Sequence, residues 1–435
     1  MNRIHPIYKI PFKQVNYMDR VRKQRIRQAH PGKRLHVIRH CQVLKKLKAD
    51  AALRLFFERE KALASTVRHV HVREALFGGR VENLAVSVEL TPSEIRRNVT
   101  IQLVDVVSEY PYVQFVKRFP GRLHPRIICG DEIPLGGFNM SLKQVQEYFG
   151  LFSVFLLPPA DCVFPTVPFR SHGRTLYGLC STCMSRREQV YCHHNREAQR
   201  GWHATLNSPD LEQALKDGFR IIRCYEILDW GAAETTCDLF SGMIRHLIKG
   251  KVQSKTGAES IPPAKRESMI RAWAAIGVQL DPDGWKGNPA LYQFYKVLLN
   301  SLWGKLAQNR IRRETKIIKS WEQLESIINN ETVNIDSIQK TSSDVVVCSI
   351  SDVGDFSAYD PSFYNPFIAT LVATYARLHI TSFMRPIGCG NPYYLDTDSL
   401  IYKSDPLKTN DPVIDENKVL GSLVSELPKG TFIKV

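Results

Sequence analysis

The hydrophobic pattern predicts a mixture of helices and strands without regular alternation of the two. A β-branched apolar run within residues 98–113 predicts a buried strand that stops at Ser108. Residues 208–230 predict a capped helix, a glycine stop and a second strand. Further helices are predicted near 235–250, 289–309 and 365–384, and short strands between 311 and 352. This order favours an α+β fold over a doubly wound sheet.

The last apolar segment, YYLDTDSLIY at residues 393–402, contains two acidic positions, Asp396 and Asp398. Burying one unpaired carboxylate is costly, and two neighbouring carboxylates repel each other. In a regular strand the two side chains would share a face, because alternate residues point the same way. Two explanations stay open: an Asp-Ser turn, or part of a site for a divalent cation that offsets the repulsion.

A third aspartate, Asp105, ends the earlier apolar strand. Considered alone, it could cap the turn that follows. Strand-end aspartates from distant parts of a chain can also converge on one sheet edge. There they can hold two Mg²⁺ ions about 4 Å apart, an arrangement suited to phosphoryl or nucleotidyl transfer.

The helix predicted at 289–309 begins at an N-cap, Asn288, and has two contrasting faces. Its broad apolar face comprises Leu291, Phe294, Tyr295, Leu298, Leu299, Leu302 and Leu306. Lys296, Asn300 and Trp303 fall nearly opposite. An ordinary amphipathic helix would expose such a lysine to solvent, whereas a nucleotide-binding helix would use it as a point charge for a triphosphate.

Composition narrows the range of partners. The 435 residues include 59 Lys and Arg against 43 Asp and Glu, a formal charge of +16. This excess suits a nucleic-acid backbone, although solvated charged faces give the same totals. No apolar run reaches about 18 residues and the N-terminus lacks a secretion signal, so neither a membrane partner nor secretion is expected. Ten cysteines, scattered apart from one cluster, predict a reducing intracellular compartment.

The cysteine cluster, LCSTCMSRREQVYCHHN at residues 179–195, has the spacing of a zinc knuckle. Cys180 and Cys183 form the first pair, and Cys192 with one of two adjacent histidines supplies the other ligands. We name His194 as the fourth ligand, with His193 as its alternative. Buried free thiols beside an exposed histidine pair are the other explanation, but local clustering without a strong apolar core favours a structural Zn²⁺.

Three segments, in order, resemble motifs A, B and C of family B DNA polymerases. The D-x-x-S-L-Y-P pattern is matched by Asp105, Ser108, Tyr110 and Pro111, the K-x-x-x-N-S-x-Y-G pattern by Lys296, Asn300, Ser301 and Gly304, and the D-T-D-S pattern by residues 396–399. From about residue 37 onward the closer resemblance is to the protein-primed branch, in particular Polinton (Maverick) elements and related viruses. It is carried by residues 73–83, 110–125, 300–305 and 374–379.

The resemblance implies a role for each matched residue. Asp105 and Asp398 would be the principal Mg²⁺ ligands with the Val106 carbonyl, and Asp396 would be an accessory carboxylate near the primer end. The nucleotide site would comprise Lys296 and Lys251 on the phosphates, Asn300 and Gly304 along the nascent base pair, Ser108, and Tyr110 under the sugar, where it excludes a 2′-hydroxyl. An ordinary exposed lysine is the alternative for Lys251.

Two positions depart from the family pattern and bear on catalytic competence. Glu109 replaces the usual leucine of motif A and would put a charge close to the nucleotide pocket. Val107 replaces a residue that is often polar. The chain also lacks room for the exonuclease domain that normally precedes FGGR and ends before most of the thumb, so a polymerase core fragment is expected.

The resemblance implies a palm with an antiparallel sheet, helical fingers and an irregular Cys-rich insertion. The predicted domains are a basic helical region at 1–95, a palm strand with motif A at 96–115, the insertion at 116–200, palm at 201–234, fingers with motif B at 235–310, palm with motif C at 311–420, and the start of a truncated thumb at 421–435.

The expected function is template-directed DNA synthesis by transfer of dNTPs to a primer 3′-hydroxyl with two Mg²⁺. The expected partners are template-primer DNA, dNTPs and a priming protein of a viral or mobile-element system, in the nucleus or at a viral replication site. The alternative is a catalytically inactive DNA-binding remnant. A metal-dependent nuclease would also use clustered aspartates, but it gives no reason for Lys296, Tyr110 and the order of the motifs.

Overall fold

The computed structural model describes residues 12–29, 35, 37, 40–54, 68–188, 191–308, 313–330, 333–342, 345–352, 364–407 and 410–428. The chain divides into two compact units, Met1–Val67 and Arg68–Val435. The first contains helices α1 (Phe12–Ala29) and α2 (His40–Ala49), both rich in basic residues. The second unit begins within the basic helical region predicted at 1–95.

The second unit combines helices with antiparallel sheets. Its helices are α3 (Pro92–Arg96), α4 (Glu109–Val116), α5 (Leu142–Gln146), α6 (Ser181–Arg186), α7 (Glu197–Arg200), α8 (Ser208–Lys216), α9 (Asp238–Lys255), α10 (Pro263–Ala275), α11 (Pro289–Ala307), α12 (Trp321–Ile328) and α13 (Pro366–Ile387). Its strands are β1 (Val81–Asn83), β2 (Thr100–Val106), β3 (Phe119–Pro120), β4 (Arg126–Cys129), β5 (Gly150–Leu157), β6 (Phe169–Ser171), β7 (Arg174–Leu176), β8 (Trp202–Asn207), β9 (Arg220–Asp229), β10 (Thr235–Thr236), β11 (Arg313–Ile318), β12 (Val333–Lys340), β13 (Val346–Asp352), β14 (Pro392–Asp396), β15 (Ser399–Ser404) and β16 (Leu423–Ser425). The predicted α+β class is confirmed.

A five-stranded antiparallel sheet, the central sheet, has the strand order β1-β14-β15-β2-β16. The apolar residues of its strands supply a buried face. Val104 and Leu400 are fully buried and pack in one core with Ile380 and Met384 of α13. The motif A strand and the motif C hairpin therefore lie side by side in one sheet.

Helix α13 is the buried helix predicted near 365–384. Asn365 caps it by accepting a hydrogen bond from the Ile368 amide at 3.1 Å. Its first turns, with Phe367 and Leu371, pack in a core with residues of α9 and α10, and its later turns pack under the central sheet. By length and composition it could cross a membrane, but 72% of its most apolar window is buried inside the protein. Burial on both sides accounts for its apolar composition.

A second antiparallel sheet has the order β4-β9-β5-β8. Strands β4 and β5 lie in the segment at 116–200 that composition predicts to be irregular, so this segment is more regular than predicted. The overlooked signal is the unbroken apolar run GLFSVFLL, which is typical of a strand covered on both faces. Gly150 is needed at its start, because a Cβ there would lie 1.7 Å from the Leu228 carbonyl oxygen.

Helices α9, α10 and α11 include the two helices predicted near 235–250 and 289–309. Gly250 of α9 packs against the Tyr295 ring of α11, where a Cβ would come within 2.3 Å of the ring. The apolar face of α11 is partly covered: Leu299 is buried and Leu302 and Leu306 pack against the same core. Phe294 is 56% exposed and Leu298 is 37% exposed. The short strands predicted between 311 and 352 form a three-stranded sheet, β11-β13-β12, and the accompanying helix α12 was not predicted.

Candidate active site

The two aspartates that end apolar segments far apart in the sequence meet on neighbouring strands. Strand β15 pairs with β2 so that Ser399 lies directly opposite Asp105. The Val106 amide donates a hydrogen bond to the Asp398 carbonyl oxygen at 2.8 Å. The sheet register therefore brings Asp105 and Asp398 together, as the resemblance implies.

The backbone between Asp396 and Asp398 forms a tight turn. Asp396 is the last residue of β14, and Thr397 has a φ of +58°. The Asp398 amide donates to the Asp396 carbonyl oxygen at 2.6 Å. The assumption of a regular strand with both side chains on one face is therefore wrong, and the turn explanation describes the backbone. Asp396 is exposed, whereas Asp398 is partly buried.

Burial and mutual repulsion disfavour the charged forms of this carboxylate pair. The pKa of Asp105 is raised to about 7, first by burial and then by the negative charges of Asp398 and Glu426. The pKa of Asp398 is also raised, first by burial and further by Asp396 and Glu426. Hard carboxylate oxygens that repel one another are the donor set that a divalent cation stabilises, so these residues fit Mg²⁺.

Glu426 is a member of this group that the sequence did not predict. It follows β16, and its amide donates to the Leu103 carbonyl oxygen at 3.0 Å. Strand β16 pairs with β2, with Val424 opposite Asp105. A single glutamate after a three-residue strand carries no local signal, so only the pairing of β16 reveals its position.

Three lysines of α9 and α11 lie near one another, and one of them contacts motif A. Lys251 donates a hydrogen bond to the Ser108 Oγ at 2.7 Å. Its pKa is lowered to about 8, first by burial and then by the positive charges of Lys255 and Lys296. The alternative of an ordinary exposed lysine is therefore wrong for Lys251. We call Lys251, Lys255 and Lys296 the lysine cluster; Lys255 was not predicted, although it follows Lys251 by one helical turn.

Tyr110 and the motif B helix are in direct contact. The Tyr110 and Trp303 rings lie 5.1 Å apart between centroids, and the Trp303 Nε1 donates to the Ala369 carbonyl oxygen at 3.0 Å. Burial raises the pKa of Tyr110 to about 12, so it stays a neutral phenol. Asn300 is exposed, and a Cβ on Gly304 would meet no atom within 4 Å. Of the predicted nucleotide-site residues, Asn300 and Gly304 therefore border open space, whereas Tyr110 is partly buried against Trp303.

Glu109, the departure in motif A, has a specific partner. Its carboxylate lies 2.8 Å from the His379 Nδ1 of α13, and the Glu109 side chain is 2% exposed. Burial raises the pKa of Glu109, and His379 opposes that shift. The Tyr112 ring packs on the other side of His379, with centroids 4.5 Å apart. The extra charge of motif A is thus buried and paired rather than directed freely into the pocket.

The glycine segment before β1 supports the motif C turn. A Cβ on Gly79 would lie 2.6 Å from the Thr397 Oγ1, so only glycine permits this approach. The Thr397 amide donates to the Arg80 carbonyl oxygen at 2.9 Å. Arg377 of α13, buried with Asp210, holds the segment by donating to the Gly78 carbonyl oxygen at 3.1 Å.

The predicted zinc ligands are also brought together. The side-chain donor atoms of Cys180, Cys183, Cys192 and His194 all lie within 4.8 Å of one another. His193, the alternative ligand, is exposed and contacts the Tyr191 ring instead. The geometry therefore selects His194 from the two adjacent histidines.

Comparison with known proteins gives a family match over the region that contains motif B. Residues 278–387 match the family described as DNA polymerase type B, organellar and viral. No curated protein sequence matches the chain. A solved structure of Phi29 DNA polymerase complexed with primer-template DNA is similar, with 15% sequence identity and a TM-score of 0.46. That similarity covers 98% of this chain and 58% of the Phi29 chain. The predicted resemblance to family B DNA polymerases is confirmed by the family match.

Proposed function

Because residues 278–387 match organellar and viral type B DNA polymerases, we propose that this chain catalyses template-directed DNA synthesis. The observation that carries the proposal is the meeting of Asp105 and Asp398 on paired strands, with the lysine cluster facing motif A. Carboxylates for metal ions beside cations for phosphates are the arrangement that nucleotidyl transfer requires.

The chain's own residues would divide the work. Asp105, Asp398 and the Val106 carbonyl would hold Mg²⁺, which supplies electrostatic stabilisation of the reacting phosphate oxygens when bound. Glu426 adds negative charge that strengthens cation binding at the same place. Asp396, exposed at the end of β14, would lie toward the primer end as an accessory carboxylate.

The lysine cluster would bind the triphosphate of the incoming nucleotide. Lys296 is exposed and free to act as a point charge, while Lys251 is held at Ser108. With a pKa of about 8, Lys251 is still largely protonated at neutral pH, and an arriving triphosphate would favour its charged form further. The cluster therefore provides binding energy for phosphates without metal participation.

Tyr110, Asn300 and Gly304 would select the nucleotide. Tyr110, fixed by its contact with Trp303, would lie under the sugar and exclude a 2′-hydroxyl. Asn300 and Gly304 would border the nascent base pair, where the missing Cβ of Gly304 leaves space. We propose deoxynucleotides as substrates on this basis.

The wider setting is also a proposal. Template-primer DNA, dNTPs and a priming protein are the proposed partners, in a viral or Polinton-like mobile-element replication system at a nuclear or viral replication site. The net charge of +16 supports the nucleic-acid partner. A structural Zn²⁺ at the cysteine cluster would take no part in the reaction, because its ligands lie in the insertion between motifs A and B.

A primer-extension assay tests the proposal. The chain is incubated with a primed template, dNTPs and Mg²⁺, with Asp398→Asn as the inactive control and salt-dependent DNA binding measured in parallel. Template-directed extension by the native chain, without extension by Asp398→Asn, supports the proposal. DNA binding without extension by the native chain would instead support an inactive remnant, and degradation of the primer would support a nuclease.

A further inference from the structure

The cysteine cluster has the geometry of a closed metal site. The His194 Nδ1 lies 3.6 Å from the Sγ of Cys180, 3.4 Å from that of Cys183 and 3.7 Å from that of Cys192. One nitrogen thus lies nearly equidistant from three sulfur atoms. Cys180 is buried and the described cysteines are free thiols rather than disulfides.

Hydrogen bonding does not explain this arrangement. A histidine nitrogen either donates one hydrogen or accepts one bond in its plane, so it cannot be bonded to three thiols at once. Three thiols and an imidazole gathered without an apolar or ionic reason require a central partner. A cation that converts the thiols to thiolates supplies that partner.

The distances match tetrahedral zinc. With a Zn–S bond of about 2.3 Å and a Zn–N bond of about 2.05 Å, a tetrahedral angle separates sulfur from nitrogen by about 3.6 Å. The three observed separations lie close to this value on either side. A three-sulfur, one-nitrogen tetrahedral set is typical of structural zinc, because four protein ligands leave no open position.

The ligands are tied to the rest of the insertion by ordinary hydrogen bonds. Cys180 precedes α6 and Cys183 lies in its first turn. The Gln199 carbonyl oxygen accepts hydrogen bonds from the Thr182 Oγ1 at 2.6 Å and from the Ser181 Oγ at 3.1 Å. A metal at the cluster would therefore connect the loop before Cys192 to the segment that leads into β8, an edge strand of the second sheet.

The cluster also borders a cleft of about 1250 Å³. All four ligands line this cleft, as do Gly78, Gly79 and Glu82 of the glycine segment and β1. Strand β1 pairs with β14, with Val81 opposite Asp396. The cleft thus extends from the cluster to the strand that pairs with the motif C hairpin.

We propose that Cys180, Cys183, Cys192 and His194 bind one structural Zn²⁺, and that this ion fixes the part of the cleft wall that these ligands form. The ion would fix Cys183 of α6, the helix that ends at Arg186 and is followed by Arg187, and both arginines are exposed sites for trypsin. The proposal rests on ligand geometry and is independent of the proposed polymerase activity.

Metal analysis of the purified full chain tests the site, with the neighbouring histidine as a matched control. The native chain and His193→Ala are expected to retain about one Zn²⁺ per chain, and His194→Ala to fall at least about tenfold. His194→Cys, which replaces one zinc ligand by another, is expected to retain the metal. Co²⁺ exchanged into the native chain is expected to give the visible absorption of tetrahedral thiolate-bound cobalt.

The effect on the cleft wall is measured separately by limited trypsin digestion. Cleavage after Arg186 or Arg187 is expected to be at least about tenfold faster in His194→Ala than in His193→Ala, because the loop loses its cross-link. Equal zinc content in the two alanine variants, or no zinc in a folded native chain, would overturn the site. Equal cleavage rates with the expected zinc difference would overturn its role in the wall.

Discussion

The carboxylate group and the cysteine cluster bring possible metal ligands together in opposite ways. Asp105 and Asp398 come from distant segments and meet only because β2 and β15 pair in one register. The cysteine cluster lies within 15 consecutive positions and closes around one imidazole. A local site depends mainly on spacing in the chain, whereas a non-local site depends on the whole sheet being correctly paired.

The two sites also differ in openness. Asp396 is exposed and Asp398 is partly buried, so the carboxylate group can reach substrates. The cysteine cluster offers four ligands to one ion and leaves no position for a substrate. Closed sites stabilise the fold and open sites carry out chemistry. Loss of Zn²⁺ should therefore mainly lower stability, and loss of Mg²⁺ should mainly lower activity.

The largest expected effect breaks the carboxylate group alone. Asp398→Asn should reduce primer extension at least about a thousandfold, because several kcal/mol of transition-state stabilisation depend on metal binding. In metal-free buffer the same variant should melt at an equal or higher temperature, because it removes a repulsive charge beside Asp105. Extension rates and melting curves check both signs. A lower melting temperature with unchanged extension would remove the functional distinction between the two sites.

The next-largest expected effect concerns the contact between Glu109 and His379, two residues far apart in the sequence. His379→Leu leaves the Glu109 carboxylate buried without its partner and should destabilise the second unit by about 3–5 kcal/mol. The double variant Glu109→Leu, His379→Leu should recover most of this loss, because an apolar pair replaces a buried polar one. Denaturant unfolding of the two single variants, Glu109→Leu and His379→Leu, and of the double variant measures the coupling. Additive losses in the double variant would show that the two residues act independently.

Selective removal of the metals should separate the two sites. A zinc-selective chelator is expected to lower the melting temperature by at least about 3 °C, the shift for loss of about 2 kcal/mol in a unit of this size. Withdrawal of Mg²⁺ should stop extension but leave zinc content unchanged. Melting curves with parallel metal analysis provide the measurement. Equal melting shifts from both treatments would contradict the assignment of structural and catalytic roles.

The smallest expected effect is the pH dependence of the carboxylate group. The folded pKa of Asp105, about 7, lies above its ordinary value of 3.8, so its favourable contribution is complete below that ordinary value and is lost as pH rises through about 7. In Mg²⁺-free buffer, stability should therefore fall between about pH 4 and pH 8. Asp105→Asn should reduce this slope, and Mg²⁺ should oppose it in the native chain.

Local patterns predicted much of the fold and part of the site. The apolar runs predicted β2 and α13, and the helix spacing predicted α9 and α11, because periodicity reflects which face is buried. Cysteine spacing predicted a four-ligand cluster because the four ligands lie close together along the chain. The run that forms β5 was present in the sequence, but its proline- and cysteine-rich surroundings obscured it.

Other features carried no local signal. Glu426 follows a three-residue strand, and its proximity to Asp105 depends on where β16 pairs. Lys251 has the same sequence context as an exposed lysine, yet packing of α9 places it on Ser108. The apolar face of α11 is only partly covered, because amphipathic spacing predicts an apolar face but not which residues cover it.

The sequence by itself determined the motif residues, the zinc-type spacing and the elements that carry them. Only the tertiary structure decided that Asp396 and Asp398 flank a turn, that Glu109 pairs with His379, and that His194 rather than His193 faces the three thiols. The physical reason is that spacing along a chain limits which side chains are neighbours within one element. Neighbours from different elements depend on strand register and helix packing, which the whole core sets together.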